Sequence, residues 1–491
     1  MKRDMLQYEK IYQILKNKIE CGLLPGGARL PSRANLCKEF ATSEKTVRRA
    51  LKLLEEDGLV ETTQRKRPTV AHGAVAGYKN VLETLQRADA CAVDDILKTG
   101  ILLCYPLNGH GMALCTGDEW AVPESIVGQM DPDKPTEFWR LSNRLWRYFI
   151  SRNGNELALR AVDGLGFTNL DPLAGTREMR RNYQDNLRRL LRTVKSGGDP
   201  EGVRFDDLFV LYGFLSAPEE NPTICRLPAG CPLALGPQGL ERSLRQSQER
   251  YSTVYLDLLG LIAVGRYRPG DRLPSHEELR KIYNVSIDTT TRAIRILRGW
   301  GVVTGTRGKG IFVAMGPAEL ARLPLDPTLI AVHVRRFLDS LELLSLTVEG
   351  IADHAASQVR PGEARALYDK LEELWTEAYL YQLSPIVLLD FLTEHIRYDA
   401  LRTIYKVVRE NYHIGRSIPK LVNRKKTPIT AALHRQCLDA AGLLEQGETR
   451  AFARKAAEMF QTTHRLVIDE CKRLGYWDAA MRVYDGTLLW K

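Results

Sequence analysis

Apolar residues recur at helical spacing near the start of the chain. Ile11, Leu15 and Ile19 lie four residues apart, which predicts an amphipathic helix over about residues 5–21. The Pro25-Gly26-Gly27 cluster that follows is typical of a turn, so it ends this helix.

Two shorter helices and a hairpin are predicted next. Ser32 and Ser43 suit the N-cap position, where a side-chain oxygen accepts a hydrogen bond from a backbone N–H group. The helix after Ser43 has an apolar face, and Gly58 ends it. Two short strands are predicted at Leu59-Val60 and Thr69-Val70, around a basic tip. This order of elements is that of a winged helix-turn-helix.

The whole pattern occurs a second time, 243 residues later. Between positions 8–71 and 251–314, 23 of 64 residues are identical without a gap. Ser275 and Glu278 add a capping box to the second helix of this copy. A repeat of this length indicates that one folding unit was copied within the chain.

The rest of the chain has helical periodicity and little that predicts a strand. Helical segments are predicted near 78–100, 137–163, 176–195, 328–358, 363–382, 385–412 and 428–474. A proline-rich stretch indicates a linker or irregular crossover between the two halves. Ser142 corresponds to Ser384, and Phe149 to Phe391, so we expect that the head and its helical domain were duplicated together.

The predicted fold class is mainly α, with two winged helix-turn-helix domains, each followed by an all-helical effector or dimerisation domain. The predicted order is a first winged helix, a first helical domain, a linker, a second winged helix and a second helical domain. Their boundaries are 1–75, 76–214, 215–243, 244–316 and 317–491.

Composition indicates an ordinary globular protein, 44% hydrophobic and 26% charged. No apolar run approaches the length of a membrane span, and the N-terminus lacks an apolar signal core. The nine cysteines never form a CxxC pair, which favours reduced thiols. We therefore expect a cytoplasmic protein that does not cross a membrane.

The net charge of +10 is located in the two copies. Residues 1–71 and 244–315 each carry +6, whereas the remainder carries −2. This distribution favours a polyanionic partner for the copies, although a solvated surface is the alternative.

The third helix of the first copy is the part suited to DNA. Because one face is apolar, Lys45, Arg48, Arg49 and Lys52 are expected to point outward. The first turn of such a helix fits the major groove, where Ser43 and Thr46 are short enough to reach phosphates or base edges. The basic wing tip can lie on the backbone or in the minor groove.

These residues resemble the GntR family of bacterial transcription regulators. The resemblance rests on the turn 27–32, the helix start 43–51 and Gly58-Leu59-Val60. It implies that the third helix and wing tip contact operator DNA. Glu44 and Ala34 replace arginines common in the family, so the base sequence read is not transferred. Arg33 and the outward Arg49 are added to these contacts. The candidate DNA-binding residues of this copy are Arg33, Ser43, Lys45, Thr46, Arg48, Arg49, Arg65, Lys66 and Arg67. A winged helix used only for protein contacts is the alternative.

The second copy resembles the family more closely in its turn and wing, but less in its third helix. Thr291 replaces Arg48, and Asp288, which repels phosphate, replaces Lys45. We expect weaker or different base preference, or else a structural pseudo-partner for the first head. Its candidate DNA-binding residues are Ser275, His276, Ser286, Thr289, Thr291, Arg292, Arg307 and Lys309.

The helical segments resemble the FadR-C-terminal (FCD) ligand domains of one GntR subfamily, through residues 145–150 and 336–342. That resemblance implies a small-molecule effector, whose contacts the sequence does not name. Many such domains bind a metal through a carboxylate and histidines. The corresponding residues are Ser142, Trp146, Tyr183, Ile386, Asp390, His434 and Ala456. Since most of these are poor ligands, we expect no metal and no cofactor. His110 is interpreted as a lone histidine in a loop-like glycine-rich stretch.

The sequence therefore predicts a GntR-type, sequence-specific regulator of transcription, with a double-stranded DNA operator as its partner. Two heads in one chain favour a covalent pseudo-dimer, active as a monomer or as a homodimer. An alternative is a protein-interaction module or anti-repressor that pairs with other regulators. A Walker loop, GxGxxG, HExxH and GxSxG are all missing, so we do not expect an enzyme.

Overall fold

Residue contacts divide the chain into two units. The first comprises most of the chain up to Gln246, and the second most of Ser247–Val483. A computed structural model describes residues 7–483, except 21–23, 25, 41, 64–66, 72–84, 88–89, 166–170, 173–175, 199–224, 229–239, 242–243, 245–249, 264–265, 284, 307–309, 321, 323–326, 377–379, 417, 419 and 422–425.

The first unit begins with the predicted winged helix. Its elements are α1 (Gln7–Glu20), α2 (Arg33–Glu39), α3 (Glu44–Glu56), β1 (Val60–Glu61) and β2 (Thr69–Val70). The apolar faces of the three helices meet in one core, in which Ile11, Leu15, Leu36 and Leu54 are almost completely buried. The periodicity of the sequence is thus confirmed in this head.

The second unit begins with the same arrangement. Its elements are α9 (Arg250–Ala263), α10 (His276–Tyr283), α11 (Ile287–Gly299), β6 (Val303–Thr306) and β7 (Gly310–Val313). Strand register repeats at the same spacing, since Val60 pairs with Val70 and Val303 with Val313. The glycine that ends the third helix has a positive φ in both heads, 68° at Gly58 and 73° at Gly301. The predicted duplication is confirmed at the level of the backbone.

A helical region follows the first head. It comprises β3 (Leu85–Arg87), α4 (Ala90–Ala113), a short 3-10 helix (Gly117–Trp120), α5 (Ala121–Gln129), α6 (Pro135–Arg152), α7 (Glu156–Gly164), β4 (Asp171–Pro172), α8 (Arg177–Lys195) and β5 (Cys225–Pro228). The core lies between the helices and includes Trp120, Phe138, Phe149 and Tyr183. A small antiparallel sheet in the order β3-β5-β4 joins segments far apart in the sequence.

Two predictions for this region are wrong, the helix near 78–100 and the loop at His110. Strand β3 lies inside that predicted helix, and strand β5 lies within the stretch predicted as linker or irregular crossover. These two strands are three and four residues long, too short for a periodic signal, and they form through pairs such as Gln86 with Leu227. His110 lies within α4 instead of a loop, and its ring shares a 2.7 Å hydrogen bond with Asn153.

A larger helical region follows the second head. It comprises α12 (Pro317–Leu320), α13 (Pro327–Ala356), α14 (Glu363–Thr376), α15 (Ser384–His395), α16 (Asp399–Arg416), α17 (Pro428–Glu445), α18 (Thr449–Arg473) and α19 (Tyr476–Met481). Two predicted helices are each divided in two. The break after α17 coincides with Gly447, whose φ of 78° disfavours other residues.

One buried hydrogen bond is repeated in both helical regions. Ser142 on α6 contacts the hydroxyl of Tyr183 on α8 at 2.7 Å, and Ser384 on α15 contacts His434 on α17 at 2.9 Å. The serines are the pair matched from sequence. These two serines therefore make a buried hydrogen bond of the same kind in both helical regions. Among the described helices, none is both long and apolar enough to cross a membrane.

Candidate nucleic-acid interface

The third helix of each head begins with the same serine–threonine cap. Ser43 Oγ accepts a hydrogen bond from the backbone N–H of Thr46 at 3.2 Å and lies 2.8 Å from its hydroxyl. Ser286 and Thr289 have the same two distances in the second head. A capped helix end keeps further N–H groups at its first turn, and these favour phosphate. Both predicted pairs therefore lie at a helix N-terminus, the end of a helix that favours an anion.

The outward side of α3 is basic, as predicted. Lys45, Arg48 and Arg49 are exposed, whereas Val47 and Leu51 are buried. The guanidinium of Arg48 forms an exposed ion pair with Glu44 one turn earlier, at 2.9 Å.

The cation of Arg49 is held by the first helix of the head. Its guanidinium carbon lies 4.1 Å from the centroid of the Tyr8 ring on α1. Stacking on an aromatic face restrains a side chain that would otherwise sample many rotamers. The position of Arg49 on α3 is therefore restrained by α1, which the sequence pattern did not indicate.

The remaining candidates of the first head divide into two groups. Arg33 is exposed at the first position of α2, and Arg67 is exposed beside the wing. The other predicted tip residues of both wings, Arg65, Lys66, Arg307 and Lys309, lie outside the described residues.

The corresponding side of α11 in the second head differs chemically. Ile287, which takes the place of Glu44, is 49% exposed, and Asp288 beside it is exposed as well. Arg292 is exposed one turn later, whereas Thr291 is half-buried. Ile282, near the end of α10, is 63% exposed. This face therefore combines apolar, acidic and basic groups, unlike the basic face of α3.

Two candidates of the second head stabilise its helices. Ser275 and Glu278 form the predicted capping box, with the Ser275 N–H donating to the carboxylate at 2.7 Å. His276 Nδ1 lies 3.0 Å from the hydroxyl of Thr290, so its ring links α10 to α11. Burial, and secondarily the charge of Arg298, lower the pKa of His276. A neutral imidazole at this position would add no positive charge to the interface.

A chain of aromatic contacts connects the second head to its helical region. Tyr255 on α9 packs edge-on against Trp300, the C-cap of α11, with centroids 5.3 Å apart. Its ring also meets His333 on α13 at 6.2 Å. The positions matching Tyr255 and Trp300 in the first head are Tyr12 and Asp57, which share a hydrogen bond instead. Sequence comparison of the copies could have found this difference.

The positions that hold metal in FCD domains contain other chemistry in the first unit. Trp146 Nε1 donates to the Tyr183 hydroxyl at 2.8 Å, and Ser142 contacts the same oxygen. Burial raises the pKa of Tyr183 to about 12, so the phenol stays neutral. The polar groups of these three side chains are thus hydrogen-bonded to one another.

In the second unit, Asp390 lies 3.2 Å from Arg409, and His434 is bonded to Ser384. Nowhere in the described part of the chain do three His, Cys, Asp or Glu residues come together as metal ligands.

Comparison with known proteins identifies the two heads. The family model described as bacterial regulatory proteins, gntR family, matches residues 7–70 and 250–313. The matched residues are those of the two winged helices. The second match begins 243 residues after the first, which is the spacing of the sequence repeat. The chain carries two GntR-family domains. The family model matches the heads and not the helical regions, so the GntR assignment rests on the heads.

The similar proteins are bacterial regulators matched over short stretches. One is the probable fructoselysine utilization operon transcriptional repressor of Escherichia coli K12, 42% identical over 76 residues, or 16% of this chain and 31% of that protein. Another is the uncharacterized HTH-type transcriptional regulator YdfD of Bacillus subtilis, 39% identical over 64 residues and 13% of each chain. The chain thus spans about a third, or less, of these relatives.

Solved structures give weaker likenesses. Streptococcus agalactiae GntR is 18% identical, with a TM-score of 0.21 over 44% of this chain and 99% of that one. Escherichia coli McbR/YncC is also 18% identical, with a TM-score of 0.21 over 43% and 96%.

Proposed function

We propose that the chain is a GntR-type transcriptional regulator that binds double-stranded DNA in a sequence-specific manner. The observation that carries this proposal is the first turn of α3. Within a head that matches the family model, the Ser43 cap, the exposed Lys45 and the exposed Arg48 lie together at the end of a helix that fits the major groove. The repressor names of the matched relatives support this function.

We also propose a covalent pseudo-dimer, in which one chain supplies both heads. GntR-type dimers place two heads on two half-sites, and this chain already contains two. Since the outward faces of α3 and α11 differ, the preferred operator should be asymmetric. The domain boundaries 1–75, 76–214, 215–243, 244–316 and 317–491 remain part of this proposal.

The helical regions are proposed to bind a small-molecule effector. Supporting this, the His333–Tyr255–Trp300 contacts run from α13 to the end of α11. A change in α13 would therefore be transmitted to the recognition helix of the second head through packed rings.

Selection from random DNA, followed by binding titrations at several salt concentrations, tests DNA recognition. If Arg48 contacts a base, Arg48→Ala should weaken binding to the selected site by roughly 1–3 kcal/mol and should weaken binding to random DNA by less. Lys45→Ala should reduce the slope of log affinity against log salt by roughly 0.9 if it contacts a phosphate.

Lys195→Ala is the matched control, because Lys195 is a surface lysine on α8 that pairs with Glu124. Equal losses for Lys45→Ala, Arg48→Ala and this control would contradict the assignment of α3 as the recognition helix.

Light scattering during size-exclusion chromatography tests the pseudo-dimer. A complex of one chain with one selected site, both half-sites being protected, is the expected result. An obligate tetramer with equivalent heads would contradict it.

A second candidate function is a protein-interaction module or anti-repressor. It is favoured by the exposed Ile282 and Ile287 on the second head, where the first head has Glu39 and Glu44. No sequence selectivity at moderate salt, combined with capture of another winged-helix regulator that Ile287→Glu abolishes, would favour this function.

A further inference from the structure

Two aromatic rings meet near the surface of the second helical region. Trp375 lies at the end of α14, and Tyr381 lies just before α15. Their centroids are 5.4 Å apart and the ring planes are inclined by 68°. Both side chains are half-buried, so solvent reaches them. The two rings form an open corner that presents π faces.

A cation of the chain itself occupies this corner. Lys426, just before α17, places Nζ 4.7 Å from the centroid of Trp375 and 4.6 Å from that of Tyr381. Such distances give an attractive cation–π contact with each ring. The side chain of Lys426 is exposed, so a competing cation could displace it into water.

A third ring stacks on Trp375. His434 stacks on Trp375 with centroids 4.5 Å apart and planes only 8° from parallel, and Ser384 holds its Nδ1 at 2.9 Å. Burial, and secondarily the charge of Lys426, lower the pKa of His434. The imidazole is therefore neutral near pH 7 and does not repel a cation.

Lys426 also lies where a positive charge is unfavourable. It precedes Thr427, the N-cap of α17, and the first turn of this helix contains no acidic residue. The N-terminal end of a helix repels cations. Displacement of Lys426 would relieve this repulsion, which lowers the cost of replacing it by a ligand.

We propose that Trp375 and Tyr381, with His434 stacked on the indole as support, form a binding site for an organic cation, a primary or quaternary ammonium compound, which displaces Lys426. This inference names the effector class of the proposed regulator and rests on that function only for its biological role. The exchange conserves the charge of the site, and it frees the residue that leads into α17.

Calorimetry on the full chain without DNA tests the proposal with choline as the probe. Its neutral isostere, 3,3-dimethylbutan-1-ol, serves as the matched control ligand. Lys426→Ala should bind choline at least about tenfold more tightly than the unmodified chain does, because the internal competitor is gone. The same variant should prefer choline over the isostere by about tenfold. Lys455→Ala, which removes a half-buried lysine on α18 that pairs with Glu458, should have no effect.

Removing either ring should abolish the increase in choline affinity that Lys426→Ala produces. Trp375→Ala in the Lys426→Ala background should lose choline binding, and Tyr381→Leu provides a second variant if the first does not fold. Equal binding of choline and the isostere, no binding by Lys426→Ala, or unchanged affinity in the ring variants would overturn the proposal. Because no DNA is present, a failure of DNA recognition leaves these results interpretable.

Discussion

Equivalent leucine-to-alanine substitutions, which create a cavity in the core of each head, should show whether each head folds by itself and which one binds DNA. Leu54 on α3 and Leu297 on α11 occupy equivalent positions, and both are 0% exposed. Leu54→Ala and Leu297→Ala therefore make the same change in two copies of one fold. Each variant is the control for the other.

The expected destabilisation follows from burial. Removing three buried carbons forfeits about 2.4 kcal/mol of transfer free energy at roughly 0.8 kcal/mol each. The cavity left behind raises the cost to about 3–4 kcal/mol. A head of about 65 residues has a free energy of unfolding of roughly 3–10 kcal/mol. One such truncation therefore brings its head close to the point of unfolding.

Amide hydrogen exchange, followed peptide by peptide, is the suitable assay. In Leu54→Ala, protection of α3 should fall by about 10² to 10³, since each 1.4 kcal/mol is a factor of ten, while α11 stays unchanged. Leu297→Ala should give the reverse. Specific DNA binding should be lost in the first variant and only weakened in the second. Equal loss of protection in both heads from a single truncation would refute their independence.

Two further predictions concern the helical regions. Gly111→Ala should destabilise the first unit by roughly 1–3 kcal/mol in thermal unfolding, because an added Cβ would lie 1.9 Å from the backbone oxygen of Phe149; Gly109→Ala, which meets nothing within 4 Å, is its control. The free energy of unfolding of the second unit should fall by about 2 kcal/mol between pH 7 and pH 5 through His333 alone. Burial, with the nearby Arg336 as the second cause, holds the pKa of His333 well below its ordinary value, so only the unfolded chain takes up the proton. Urea unfolding of His333→Phe should show a correspondingly smaller pH dependence.

Each of these predictions has a contradicting outcome. Equal melting temperatures for the two glycine variants would mean that α4 and α6 do not pack as closely as the structure indicates. A steeper loss of stability at low pH in His333→Phe than in the unmodified chain would mean that the buried imidazole is charged.

The heads were predictable because every local signal agreed with the fold. Helical periodicity, two serine caps and the glycine at the end of the third helix all specify the same elements, and the ungapped repeat supplied an independent copy of each. The capping box between Ser275 and Glu278 could also be predicted, from the four residues 275–278 alone.

The contacts that hold the site together were less predictable. The stacking of Arg49 on Tyr8 joins residues 41 positions apart on two helices, and the contact of Trp375 with Lys426 joins the end of α14 to the residues just before α17. Neither has a periodic signal, because side-chain contacts of this kind depend on how helices cross. Strand β5 escaped prediction for the same reason, since its partners are distant in the sequence.

The residues that differ between the two copies give the two heads different contacts and different charges. Where Tyr12 of the first head shares a polar contact with Asp57, Tyr255 of the second packs between Trp300 and His333. Where α3 presents Lys45 and Arg48, α11 presents Asp288 and Thr291. At these positions the second head has fewer cations on its third helix than the first head, and it has an aromatic connection to its helical region. A regulator built this way would read its operator mainly through the first head and couple its effector mainly to the second. The truncations at Leu54 and Leu297 would separate these two roles.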